Sequence, residues 1–226
     1  MFFLIDLINY VIYKLKQKNF SVGFFCENKN IYPYIESYLI NKKKKILLIS
    51  FEKLNFVNNK NIYFLIFKTK FFQELFFLTH KLSYLYSSTP DLDNSIFKKT
   101  KFSKCKYIYL QHAPVSLIMV YNDAAFKNFN AIQAVNKNQF FEIKAINKKF
   151  NINIRPLKMR YQFINNSHIR NIEKKTDVLV APSWNTDFYK LNLHLDLIEL
   201  LQKHNLTFHF RPHYMSFKKK EISKKF

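Results

Sequence analysis

The chain is short of almost everything that usually punctuates a fold. It contains one glycine, Gly23, in 226 residues. A glycine-rich phosphate loop needs several residues without a Cβ so that backbone N–H groups can close on the anion, and that device is therefore excluded. Cysteine is nearly as scarce. Cys26 and Cys105 lie far apart in the sequence, in neither a C-x-x-C nor a Cys/His metal spacing; a disulfide framework or a zinc site is not expected, and a reducing, cytoplasmic setting is. No apolar run reaches the ~20 residues that span a bilayer. The most apolar one, Met1 to Leu15, is interrupted by Asp6 and Asn9. It has no basic stretch in front and no small-residue cleavage site behind, so a signal peptide is not expected either.

Acidic residues are also few, 15 Asp plus Glu against 37 Lys plus Arg, for a formal net charge of +22. Such a field attracts phosphates, anionic lipid or nucleic acid without choosing among them. Lysines occur in almost every segment, as in Lys42 to Lys45, Lys98 to Lys101 and Lys218 to Lys220, and read as solvated faces rather than one binding stripe. Specific nucleic-acid recognition would need clustered basic residues with exposed aromatics, whereas the aromatics here fall at core positions. The hydrophobic fraction of 48% is enough for one or two packed domains and excludes a disordered tail. The segment 1–18 has two readings: an amphipathic helix packed on the domain, or an interfacial helix held against anionic headgroups by Lys14, Lys16 and Lys18, peripheral to a membrane.

Beyond Lys18, short apolar runs alternate with helix-period stretches, the pattern of βα units feeding a parallel sheet. Strands are predicted at Phe20 to Cys26, Ile46 to Phe51, Ile62 to Phe67, Leu82 to Tyr86, Tyr107 to Leu110 and Ala131 to Val135. The run Arg155 to Phe163 is a weaker extended stretch. Helices are predicted at Ile31 to Ile40, Phe71 to Leu78 and around Phe140 to Ile146. Residues 165–176 are polar without apolar period and read as an interdomain linker. The βαβ pattern then restarts, with a strand at Val178 to Val180, a helix over Leu191 to Leu201 and a strand at Leu206 to Phe210. The expectation is an α/β chain with a Rossmann-like domain over 19–164 and the start of a second, incomplete one over 177–226.

In open α/β sheets, loops beyond the carboxyl ends of strands hold the ligand, so polar residues there are the candidates for chemistry. His112 follows a predicted strand in Tyr-Leu-Gln-His-Ala-Pro, and His213 follows another in Phe-Arg-Pro-His. Either imidazole can take a proton from a nucleophile or hydrogen-bond a phosphoryl oxygen, and Arg211 supplies a bidentate fork for phosphate. His80, His168, His194, His204 and His209 read as strand caps or solvent-exposed side chains. The loop Ser87, Ser88, Thr89, Pro90, Asp91 has two open readings, a ligand-lining loop and a simple hydrated one.

The Gln111-His112-Ala113-Pro114 segment, the later Ala181-Pro182-Ser183-Trp184 segment and Arg211-Pro212-His213 together resemble the CDP-glycerol glycerophosphotransferase family of teichoic acid polymerases and their relatives. In that family a His-Gly-x-Pro motif closes a strand of the acceptor domain, a segment like Ala-Pro-Thr-Trp opens the second domain, and an Arg-x-His motif follows. The resemblance covers the chain in order of motifs, and its specificity rests on these three short segments. It implies a GT-B fold and attack of an acceptor hydroxyl on the β-phosphorus of a CDP-alcohol, with release of CMP and no cofactor beyond that donor.

By the same resemblance His112 is the base toward the acceptor hydroxyl, and Pro114 shapes its turn. His213 with Arg211 binds or polarises the donor diphosphate, Ser183 and Trp184 lie at the first strand end of the donor domain, and Ser88 and Thr89 line the acceptor side. The implied acceptor is a glycan or a lipid-linked polymer at the inner face of the cell membrane. Ala113 departs from the family glycine. The family's nucleotide-binding remainder would lie downstream of Arg211-Pro212-His213, so an incomplete donor domain, and with it an inactive transferase or a non-catalytic acceptor- or membrane-binding module, is the alternative expectation.

Overall fold

The computed structural model describes residues 1–39, 44–55, 59–91, 103–122, 124–158, 176–182 and 186–212. The chain divides into two compact units, Met1–His168 and Ile169–Phe226. Of the 165–176 segment read as a linker, only Thr176 is among the described residues.

The first unit is an α/β unit built on seven parallel strands in the order β3-β2-β1-β4-β5-β6-β7. They are β1 (Val22–Cys26), β2 (Ile46–Ser50), β3 (Ile62–Ile66), β4 (Tyr84–Ser87), β5 (Lys106–Tyr109), β6 (Ala131–Gln133) and β7 (Arg155–Leu157). The helices are α1 (Phe2–Lys16), α2 (Tyr32–Leu39), α3 (Lys70–Thr79) and α4 (Asn138–Phe150). This is a Rossmann-like arrangement, in which the chain moves outward from β1 to β3 and then returns to the other side of β1 with β4.

Because a parallel sheet is covered on both faces, its inner strands are apolar at every position rather than alternately. In β2 all five residues, Ile46 to Ser50, are buried. The two-residue period nevertheless sorts them. Phe25, Leu47 and Ile49 join Tyr13 of α1, Phe72 and Phe76 of α3 and Ile143 of α4 on one face. Phe24, Cys26, Ile46 and Leu48 join Tyr32, Ile35 and Leu39 of α2 on the other. The apolar run Ile62 to Phe67 reads in the sequence as a buried strand, and that holds only in part. β3 is an edge strand and four of its five residues are half-buried.

Gly23 marks the tightest point of this packing. A Cβ there would lie 2.6 Å from Leu82 Cδ1, 3.1 Å from Leu85 Cδ1 and 3.3 Å from Ile49 Cδ1. The residue is small for lack of space, since its backbone is ordinary strand paired with Leu47 and Leu85. Gly23→Ala is expected to lower stability by about 1–3 kcal/mol through overpacking, read as a reduced urea midpoint at constant slope; an unchanged midpoint would show that the leucine ends yield freely.

The helix α1 packs on this unit through its polar residues as much as its apolar ones. Asn9 donates to the Ile66 carbonyl oxygen at 3.1 Å and Lys14 to that of Thr79 at 2.8 Å, while the Tyr10 and Thr79 hydroxyls lie 2.8 Å apart. Asp6, 1% exposed, accepts from Lys68 N at 3.0 Å, Thr69 N at 2.7 Å and Thr69 Oγ1 at 2.6 Å. It thereby supplies from α1 the acceptor that the start of α3 lacks in its own sequence, since the Thr69 side chain makes no capping bond.

The second unit contains a parallel pair, β8 (Val178–Val180) with β9 (Phe208–Phe210), joined through α5 (Thr186–Lys190) and α6 (Leu193–Lys203). Asp177 pins the two strand starts, accepting from Thr207 N at 2.8 Å and Thr207 Oγ1 at 2.6 Å. These bonds favour its ionised form and hold the carboxyl below its usual range. The short helix α5 is absent from the sequence-based expectation. His194 departs from that expectation as well: it is 3% exposed, with its ring 5.5 Å from that of Tyr189, and neither caps a strand nor meets solvent. Among the described residues, no helix is long and apolar enough to cross a membrane.

Candidate functional site

The strand order reverses between β1 and β4, so the crevice beyond their carboxyl ends is the topological switch point where an open α/β sheet holds its ligand. Glu27 follows β1, Ser88 and Thr89 follow β4, and His112 lies just past β5. Four polar side chains from three strand ends thus converge on one edge of the sheet.

The residues around them are built in. Ser87, Ser88 and Thr89 are all buried and Pro90 and Asp91 half-buried, so the first three positions of this segment are packed rather than hydrated. Ser87 Oγ accepts from Thr89 N at 3.1 Å in a local turn, and Leu110 N donates to the Ser87 carbonyl oxygen at 2.8 Å, extending the β4–β5 ladder. Thr89 Oγ1 donates to Glu27 Oε2 at 2.9 Å, tying the ends of β4 and β1 together. The Ser88 hydroxyl is different. It is buried, and Oγ has no hydrogen-bond partner among the described residues. An unsatisfied buried hydroxyl costs about 1–3 kcal/mol, a cost that a ligand hydroxyl would remove on binding.

Two contacts help to set His112. Its Nδ1 lies 3.1 Å from the Ser88 carbonyl oxygen, and its ring meets Tyr34 edge-on at 6.3 Å. A carbonyl can only accept, so Nδ1 carries the proton and Nε2 carries the basic lone pair. Burial pushes the His112 pKa below its ordinary value, while the Ser88 carbonyl and the Glu27 charge pull it back upward to a lesser degree. At neutral pH the imidazole is therefore neutral, which is the form a general base requires.

The turn carrying His112 is held by Gln111, which is 2% exposed. Gln111 and Gln139 exchange reciprocal amide bonds of 2.7 and 2.9 Å, Gln139 Nε2 also reaches the Val115 carbonyl oxygen at 2.9 Å, and Val135 N donates to Gln139 Oε1 at 2.8 Å. The buried pair fastens residues 111–115 to the start of α4. Pro114 is exposed and Ala113 half-buried. Ala113 does not adopt a positive φ, so alanine meets no backbone strain at this position.

In the second unit, Arg211 follows β9, its backbone N donating to the Val180 carbonyl oxygen at 2.8 Å while its side chain is exposed. Ser183, Trp184 and His213 lie outside the described residues. Of the candidate residues, then, Ser88, Thr89 and His112 lie together at the carboxyl edge of the sheet, with Pro114 at the far end of the His112 turn. Glu27 is the member that the sequence-based selection missed, although it follows a strand as directly as His112 does.

No protein-family model matches this chain, and no curated protein matches it.

A cleft of about 540 Å³ opens at the opposite, amino edge of the sheet, among Leu78 to Tyr84 and Ser103 to Lys106. It is a poorer candidate for chemistry. Its histidine, His80, has Nε2 3.1 Å from the Tyr107 hydroxyl and is pushed down to about 4, mainly by burial, so it stays neutral as part of the packing. The cleft also lies away from the strand ends where loops converge on a ligand.

Ser88→Ala separates binding from stability in the candidate site. The free protein loses no hydrogen bond, so its melting temperature is expected to hold or rise slightly, while affinity for a hydroxyl-bearing acceptor falls about five- to tenfold, the worth of one hydrogen bond. A destabilised variant with unchanged acceptor affinity would place the hydroxyl in the packing instead.

Proposed function

We propose that the switch-point crevice binds the hydroxyl end of a polyol or glycan acceptor, and that the chain is a glycerophosphotransferase-type enzyme of GT-B architecture acting on a CDP-alcohol. The observation that carries this reading is the set Glu27, Ser88, Thr89 and His112: a carboxylate, two hydroxyls and a neutral imidazole, all suited to hydroxyl groups. A diphosphate is a poor fit for the same place. Glu27 stands where a nucleotide-binding Rossmann unit offers glycine and open N–H groups, and it would repel the anion.

The proposed step starts with the acceptor hydroxyl donating to His112 Nε2. As the oxygen attacks the β-phosphorus, the proton passes to the imidazole, the P–O bond to the CMP moiety breaks, and CMP leaves with the bond pair. Most of the rate would come from positioning and from cationic groups facing the developing charge. The sequence resemblance assigns the donor diphosphate to Arg211 and His213, and implies that Ser183 and Trp184 lie at the first strand end of the donor domain. The acceptor would be lipid-linked or a glycan, presented at a membrane surface.

A second reading, a non-catalytic acceptor-binding module, is favoured by one observation: all four crevice side chains belong to the first unit. CMP release separates the two. Purified protein with crude membrane acceptor is expected to release CMP from CDP-glycerol or CDP-ribitol. Acceptor binding by the folded protein without release from either donor would leave the binding module.

A further inference from the structure

The outward face of α1 is apolar from end to end. Leu4, Ile8, Val11 and Leu15 fall at helical spacing along one side, and their exposures are 61%, 51%, 47% and 80%. The inward side holds Asp6 and Tyr13, each 1% exposed. A helix on the surface of a globular unit normally turns its polar residues outward, and here the polar residues point in. The patch continues onto α3, where the exposed Phe71 lies ring to ring with Phe3 at 6.1 Å.

Lysines rim the patch. Lys14 and Lys16 occupy the last turn of α1 and Lys18 lies just past it. At the other end, Lys68 Nζ sits 4.4 Å over the Phe2 ring, and Lys70 adjoins Phe71. The one acidic residue of α1, Asp6, is buried under α3. Glu74 of α3 is exposed but lies 3.8 Å from Lys70 Nζ.

Charge decides what covers this face. A second copy would bring the same lysine rim and the same net charge of +22 against the first. An anionic bilayer offers the complement to both features: acyl chains for the apolar stripe and headgroups for lysines whose stems extend along its edges. We propose that α1 is an interfacial anchor, lying in the plane of an anionic membrane with Leu4, Ile8, Val11 and Leu15 toward the acyl chains and Lys16, Lys18, Lys68 and Lys70 toward the headgroups, Lys14 being bonded inward to the Thr79 carbonyl oxygen. This stands independently of the transferase reading, because it needs none of the crevice residues.

Co-sedimentation of the full chain with vesicles tests it. The protein is expected to bind vesicles of equimolar phosphatidylcholine and phosphatidylglycerol far better than phosphatidylcholine alone. Ile8→Asn with Val11→Asn should weaken that binding about tenfold or more for each side chain withdrawn from the apolar layer. Lys16→Gln and Lys18→Gln should each cost about fivefold. All four positions are exposed, so the fold is retained. A Leu4→Cys variant carrying an environment-sensitive fluorophore, placed selectively because Cys26 and Cys105 are buried, should shift to the blue with the anionic vesicles. Binding that ignores the Ile8/Val11 pair would show attraction by the rest of the basic surface and overturn the proposal. So would an unshifted fluorophore, or a dimer in solution that the same pair dissociates.

Discussion

His112→Ala is expected to lower acceptor-dependent CMP release by about 10²–10⁴-fold, the usual share of a positioned general base, with little change in stability. The ring is half-buried and hydrogen-bonds the Ser88 carbonyl oxygen; it belongs to neither cluster of the apolar core, so its removal leaves no void there. The pH dependence adds a check that a structural role would not produce. A base works deprotonated, and burial lowers the His112 pKa. The rate should therefore rise with pH to a plateau whose midpoint lies below the ordinary histidine value. Glu27→Gln should move that midpoint lower still, because the Glu27 charge favours the imidazolium. A midpoint above the ordinary value, or one that Glu27→Gln raises, would contradict this account of the site.

Asp6→Ala is expected to produce a large stability loss without touching the crevice. Its carboxylate accepts from Lys68 N, Thr69 N and Thr69 Oγ1. Hydrogen bonds to a charged group are worth about 1.5–3 kcal/mol each, and they are not additive. A net loss of about 3 kcal/mol is expected, or a melting temperature of the first unit lower by about 6–12 °C. Asp6→Asn, which keeps the shape and one acceptor oxygen, should fall between. The loss should appear together with fraying of α1, visible as faster amide exchange at Asn9 and Tyr13, because the same residue holds both helices. An unchanged melting curve for Asp6→Ala would show that Thr69 recaps α3 alone.

The contrast between these two residues shows where sequence alone is informative. The inner strands were legible because burial on both faces forces an unbroken apolar run, as in Ile46 to Ser50. Their ends differ from the sequence reading by a residue or two, since runs such as Phe20 to Cys26 include side chains that pack before the ladder begins. The edge position of β3 was not legible, because its composition matches an inner strand. A five-residue helix such as Thr186–Lys190 carries too few residues to display a period.

Asp6 read as an interruption of an apolar segment, and nothing near it in the sequence reveals that its partner is 63 residues away. His112 was selected by the rule that polar residues at strand ends face the ligand, and the same rule applied after Phe24-Phe25-Cys26 would have found Glu27. The burial of Ser88, and its unpartnered hydroxyl, depended on the β4–β5 register and required the structure.

The central claim is that an acceptor hydroxyl enters the crevice beside His112, and ring resonances of His112 during titration with a short polyglycerol phosphate, in the absence of donor, test it most directly. The account predicts a saturable shift of the His112 signals, weakened about five- to tenfold in affinity by Ser88→Ala and absent at His204 and His209. Saturable binding of the same acceptor that leaves the His112 signals unmoved would contradict it, and so would no binding at all by the folded chain.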